Sequence, residues 1–228
     1  MDNSGASPVS ASSPPSRQEP RRLRTRAALI KAGAELLAER PIDAIPVNDI
    51  VDAAGVAKGS FFNHFEDKDA FAAEIAAEIR GDLEARVTAA NEGVADPASR
   101  VARGMATFVQ FALADPKRTR IMLRGHEWAT SGDHHLNVAI QADVSSGLTS
   151  GRFLPRAERS GVAYLIGVCL IALLAVVDGR APPAEARELA IRLLVLALTG
   201  LGVEEADATD VSRRAVAEVV TVEQGPRL

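Results

Sequence analysis

The 228-residue chain is 47% hydrophobic and 25% charged, with one cysteine and nine aromatic residues, a globular composition rather than a disordered or fibrous one. At this mass roughly 70% of the unfolded surface is buried on folding, enough for one large domain or two small ones, and a single cysteine excludes a disulfide framework and a cysteine-rich zinc finger. The net charge of −4 argues against nucleic acid only as a sum, because residues 17–31 hold six basic groups against Glu19 while residues 69–228 carry 17 basic and 21 acidic groups. The N-terminus lacks the basic-then-apolar pattern of a secretory signal, so a cytoplasmic location is expected. The longest apolar run, 162–177, has 16 residues, short of the roughly 20 that cross a bilayer, and no membrane is expected as a partner.

Residues 1–20 contain six serines and four prolines and read as a disordered tail. From Thr25, a plausible N-cap, Leu29, Gly33, Leu36 and Leu37 mark one face of a first helix that Pro41 ends. A short second helix follows Pro46, turns Val47, Ile50, Val51 and Ala54 inward, and stops at Gly55. The pattern predicts a third helix over about 58–65 and a fourth over about 69–91. Phe61, Phe62, Phe65 and Phe71 are placed to form the core of this unit. Further helices are expected at about 97–114, 117–128, 134–150, 157–178 and 184–199, with a loop at 129–133 and Gly200 and Gly202 closing the last of them. No stretch alternates with period two, so the fold is expected to be all-α: a tail (1–20), a three-helix helix-turn-helix domain (21–68) and a C-terminal helical domain (69–228). The role of residues 203–228 is not legible.

The helices at 157–178 and 184–199 are apolar on nearly every side, which one subunit supplies too few elements to cover; a homodimer through these two helices is the economical reading. Met105, Phe108, Phe111, Met122, Trp128 and Tyr164 are core candidates individually and, as a group, candidates to line a mostly apolar effector pocket.

The run from Ile50 to Phe65 reads as helix-turn-helix, with Gly55 at the tight turn and Val56 buried inside it. Its second helix would present Lys58, Gly59 and Ser60 at an N-terminus suited to a phosphate, placed where such helices meet the major groove. Thr25-Arg26, Ala38-Glu39-Arg40, Asp49-Ile50, Ala53-Ala54-Gly55-Val56, Lys58-Gly59, His64-Phe65 and Lys68 together resemble the TetR family of bacterial transcriptional regulators. That resemblance implies dimers of all-α subunits, an N-terminal domain that binds a double-stranded DNA operator, and a C-terminal domain that takes a small effector. Carried over by position, it implies that Ser60, Phe62, His64 and Lys68 touch DNA.

Asn63 lies among those positions, and Asn48, Ser60 and Asn63 are the candidates for reading bases, since an asparagine amide can pair bidentately with adenine. Three positions depart from the family pattern by losing a hydroxyl: Pro46, Ala57 and Phe62. Arg21, Arg22, Arg24 and Arg26 are expected to offset that loss as a basic arm beside the groove. The resulting expectation is a ligand-responsive repressor, neither enzyme nor cofactor protein.

The alternatives are an all-α enzyme or a helical interaction protein. No nucleophile motif, metal-ligand spacing or phosphate loop supports the first. His134 and His135 are adjacent without a third ligand nearby, and Cys169 sits in an apolar helix as a small buried hydrophobe.

Overall fold

Residues with helical spacing of apolar side chains form helices throughout the computed structural model, which describes residues 18–124, 135–179 and 183–221. Among these residues there are ten α-helices, one 3-10 turn and no strand. The N-terminal unit comprises α1 (Gln18–Glu39), a 3-10 turn (Ile42–Ala44), α2 (Val47–Ala54), α3 (Gly59–Phe62) and the first half of α4 (Lys68–Ala90). Phe61, Phe65 and Phe71 stack edge-on or tilted with centroids 4.7–5.5 Å apart, and Gly33 of α1 gives Phe71 its seat: a Cβ there would lie 2.1 Å from the ring.

The basic stretch is helical, contrary to the expectation of an arm. Glu19 and Pro20 stand in the first turn of α1, where an acidic side chain suits the dipole and proline costs no hydrogen bond. Thr25 therefore lies inside the helix and caps nothing. The third helix is also shorter than 58–65. The N–H groups of His64 and Phe65 both donate to the Phe61 carbonyl at 3.0 Å, closing the turn that brings Phe65 under Phe71, and the Asp67 side chain then caps α4 by accepting from the Ala70 N–H at 2.7 Å.

No linker separates the two units, because α4 runs unbroken from one core to the other, burying Phe71 and Ile75 in the first and Ile79 and Leu83 further along. The C-terminal unit adds α5 (Pro97–Ala114), α6 (Pro116–Arg124), α7 (His135–Thr149), α8 (Ala157–Val177), α9 (Pro183–Leu201) and α10 (Glu205–Val219). α5, started by the Asp96 cap, is the central strut and touches α4 and every other helix of the unit. The loop expected at 129–133 lies outside the described residues.

α8 is 21 residues long, so the 16-residue argument against a membrane span does not hold on length: this helix is long and apolar enough to cross one. It packs instead against α5, α6, α7 and α9. Its uncovered side carries Ala163, Tyr164, Gly167, Ile171 and Leu174, beside Leu196 of α9. α10, whose span the sequence pattern left unread, covers α5 and α9, and Arg152 ties it to the start of α5 through Asp207 (2.5 Å) and Asp96 (2.9 Å).

Candidate nucleic-acid interface and effector cavity

α2 and α3 meet through a turn set by Gly55, which adopts φ +66° and donates its N–H to Val51 and Asp52, while Val56 donates to Val51 at 3.0 Å. A left-handed φ here is open to glycine at little cost. Ile50, Val51 and Phe61 are buried beneath, leaving Asn48, Lys58, Gly59, Phe62 and Asn63 exposed and Ser60 and His64 half-buried on one outer surface. Neither α2 nor α3 has a side-chain cap: Pro46 stands at the N-cap of α2, and Lys58 rather than Ala57 at that of α3, and neither supplies a hydroxyl.

His64 keeps its Nδ1 buried without a hydrogen-bond partner. Burial, then the nearby Arg22 and Arg26 charges, hold its pKa below the ordinary histidine value, so the ring is neutral at pH 7.

The twelve residues singled out from sequence divide into two groups. Arg21, Arg22 and Arg24 are exposed on the first turns of α1, and Arg22 lies near His64. Arg26 is instead ion-paired with Glu74 of α4 and lies over the Phe65 ring, 5.4 Å from its centroid. Lys68 is drawn inward as well: its Nζ donates to the carbonyls of Ile42 (3.2 Å), Asp43 (3.5 Å) and Ile45 (3.1 Å). Both side chains hold the domain together, and what remains at the surface is a smaller basic set than the sequence suggested.

In the C-terminal unit a cavity of about 70 Å³ lies between α4, α5, α7 and α8. Val87, Val101, Met105, Phe108, Ile140, Leu165, Ile166 and Cys169 make most of its wall. Burial pushes the Cys169 thiol up to about 12, which keeps it protonated and unreactive. The polar part of the wall comes from Glu84, Thr88, Asn91, Arg100, Asn137 and Asp143. Arg100 Nε donates to the buried Asp143 Oδ1 at 2.5 Å and its Nη1 to the carbonyls of Asn91 and Val94, while Asn91 Nδ2 donates to the Arg100 carbonyl at 3.2 Å.

Of the six proposed lining residues, Met105 and Phe108 reach this cavity. Phe111 is buried between the guanidinium groups of Arg86 and Arg118, and Met122 is wholly buried; neither lines it. Tyr164 faces outward, its hydroxyl donating to the Leu196 carbonyl at 2.9 Å, because its position on α8 is on the uncovered side. Trp128 and His134 lie outside the described residues. Sequence reasoning missed Glu84, Thr88 and Asn91, whose spacing with Val87 puts them on one face of α4, and the Arg100–Asp143 pair across two helices.

α4 runs from the helix-turn-helix unit to the cavity wall, and α6, which does not line the cavity, ties α1 to the C-terminal unit. Arg124 of α6 donates to the carbonyls of Leu37 and Glu39 at the end of α1, Lys117 pairs with Glu35, and Arg118 reaches Asp82 of α4 at 2.7 Å.

The family description "Bacterial regulatory proteins, tetR family" matches residues 29–75, and "Tetracyclin repressor-like, C-terminal domain" matches residues 96–214, more than half of the chain. The chain belongs to the TetR family. A relative, the HTH-type transcriptional repressor DhaR of Mycobacterium sp. (strain GP1), is 38% identical over 72 residues, 32% of this chain and 36% of that repressor, so the match spans about a third of the relative's length. The structure of RolR in complex with resorcinol shares the TetR fold, at a TM-score of 0.60 and 22% identity over 86% of this chain and 96% of that one. FadR from Bacillus subtilis in complex with stearoyl-CoA superposes at 0.63, with 17% identity over 76% and 98%.

Proposed function

We propose that this TetR-family chain is a ligand-responsive repressor that binds a near-palindromic operator as a homodimer and releases it when a small effector enters the C-terminal cavity. The observation that carries the reading is the exposed set Asn48, Lys58, Phe62 and Asn63 on a helix-turn-helix whose supporting helix α4 runs to that cavity. The repressor role of DhaR and the ligands bound to RolR and FadR support it. Lys58 and Arg22 would neutralise phosphates, the His64 ring would donate to one, and Asn48, Ser60 and Asn63 would face base edges. The role is regulatory rather than catalytic, and its place is the bacterial cytoplasm with the DNA.

The dimer would form through the apolar stripe of α8 and Leu196 of α9. Two such helices per subunit make a self-complementary four-helix surface, and its two-fold would match the operator's. Gel-shift titration of the full chain on the promoter beside its own gene tests the reading. A shift weakened by Asn63→Ala on specific but not on random DNA is expected; no preference for any promoter fragment over random DNA contradicts it.

A further inference from the structure

We infer that the C-terminal cavity selects a small, neutral, mostly apolar molecule carrying a hydroxyl or N–H donor, with that donor on Asn91 Oδ1. The inference rests on the effector reading above for its regulatory meaning, but not for the binding itself. Asn91 is 6% exposed and lines the cavity. Its amide has one orientation, since Nδ2 donates to the Arg100 carbonyl and an oxygen placed there would face another acceptor. Oδ1 is consequently a buried acceptor with no hydrogen-bond partner among the described residues. A buried acceptor left without a donor is costly, and a ligand that supplies one removes that cost as it binds.

The charge arrangement disfavours an anion. The lining sets Glu84 and Asp143 against Arg100, whose guanidinium already donates to Asp143 and two carbonyls, so a carboxylate or phosphate enters against an excess of negative charge. It would also have to pass Glu84, which lines both the cavity and the shallow groove outside it. An alkane or unsubstituted arene fits the apolar wall yet leaves Oδ1 unpaired. The volume, about 70 Å³, is smaller than the roughly 150 Å³ of a cavity that takes benzene, so a single small ring enters only as the wall yields, and a long acyl chain does not fit.

Calorimetric titration of the full-length protein without DNA decides the class, using phenol, resorcinol, benzene and benzoate as probes. Phenol and resorcinol should bind about tenfold more tightly than benzene, the ratio expected for one buried neutral hydrogen bond, and benzoate more weakly than either. In Asn91→Leu the preference of phenol over benzene should fall to near unity. Gly104→Leu, which extends a side chain from the cavity wall toward Val87, should abolish both. Benzene equal to phenol, benzoate tightest of the four, no binding of phenol or resorcinol at millimolar concentration, or an unchanged preference in Asn91→Leu each overturns the inference in the wild-type protein or at its assigned residue. Adding resorcinol to the DNA complex separates the two proposals: Asn91-dependent binding that leaves DNA affinity unchanged upholds this inference and contradicts the effector reading.

Discussion

His64 and Lys68 illustrate how a side chain's partners decide its part. Because the folded protein holds His64 below its ordinary pKa, the unfolded chain binds the extra proton first. The His64 contribution to stability is therefore present above the unfolded value near 6.5 and is lost as the pH falls through and below it. A DNA phosphate has the opposite effect, favouring the charged ring. Chemical denaturation should show wild-type stability declining more than that of His64→Gln between pH 7.5 and 5.5, while operator affinity gains on the variant over the same interval; parallel pH profiles would remove His64 from the interface. Lys68, holding three carbonyls, is a structural tie. Lys68→Ala should cost about 1–3 kcal/mol of stability without changing the salt dependence of DNA binding, whereas Lys58→Ala should lower the salt slope by about one unit and leave stability alone. A salt slope that falls equally in both would return Lys68 to the DNA surface.

At the scale of elements, the sequence signals that survived are those with a local cause. Gly55 stops α2 because its φ requires it, and Pro41 follows the end of α1, whereas the Asp67 and Asp96 caps of α4 and α5 were not read from the sequence. The start of α1 and the end of α3 were not legible, since a serine-rich tail hides the first and the packing of Phe65 on Phe71 sets the second. Of the residues singled out for the cavity only Met105 and Phe108 line it; Asn91 and Asp143 carried no signal, because helices far apart in sequence are what enclose them. Since α1 is helical from Gln18, deleting residues 1–24 would remove helical turns as well as charge, and Arg22→Ala with Arg24→Ala is the cleaner test of the basic surface. Composition marked α8 and α9 as more apolar than one subunit covers, and in the single subunit Tyr164, Ile171, Leu174 and Leu196 are exposed. Leu196, 62% exposed in the single subunit, makes a specific prediction: Leu196→Asp places a charge in the proposed interface and should convert dimer to monomer in sedimentation, at unchanged helix content. A stable Leu196→Asp dimer would move the interface elsewhere.

For the whole molecule, the question is how a change in a cavity reaches helices that read DNA. α4 is common to both units, and α6 grips the end of α1 through Arg124. The Lys117–Glu35 pair is fully solvated and contributes little, so Arg124, bonded to two backbone carbonyls, carries the tie. An effector acts only through unequal affinity for the DNA-competent and DNA-free arrangements, and Arg124 is the contact through which those arrangements would differ. Arg124→Ala should leave DNA affinity in the absence of ligand within a few fold and reduce the ligand-induced loss of that affinity by about 2- to 30-fold, a coupling change of roughly 0.5–2 kcal/mol. Undiminished coupling would assign transmission to α4 alone. The central claim, that the exposed α2–α3 surface of a two-fold dimer reads a DNA sequence, is tested most directly by incubating the full-length protein with fragmented genomic DNA and sequencing what it retains. The account predicts enrichment of a few fragments sharing an inverted repeat whose half-sites are centred one helical turn, about 34–36 Å, or a multiple of it apart, with enrichment lost in the Lys58→Ala, Asn63→Ala double variant. Retention of fragments without a common motif, or the same fragments retained by the double variant, would contradict it.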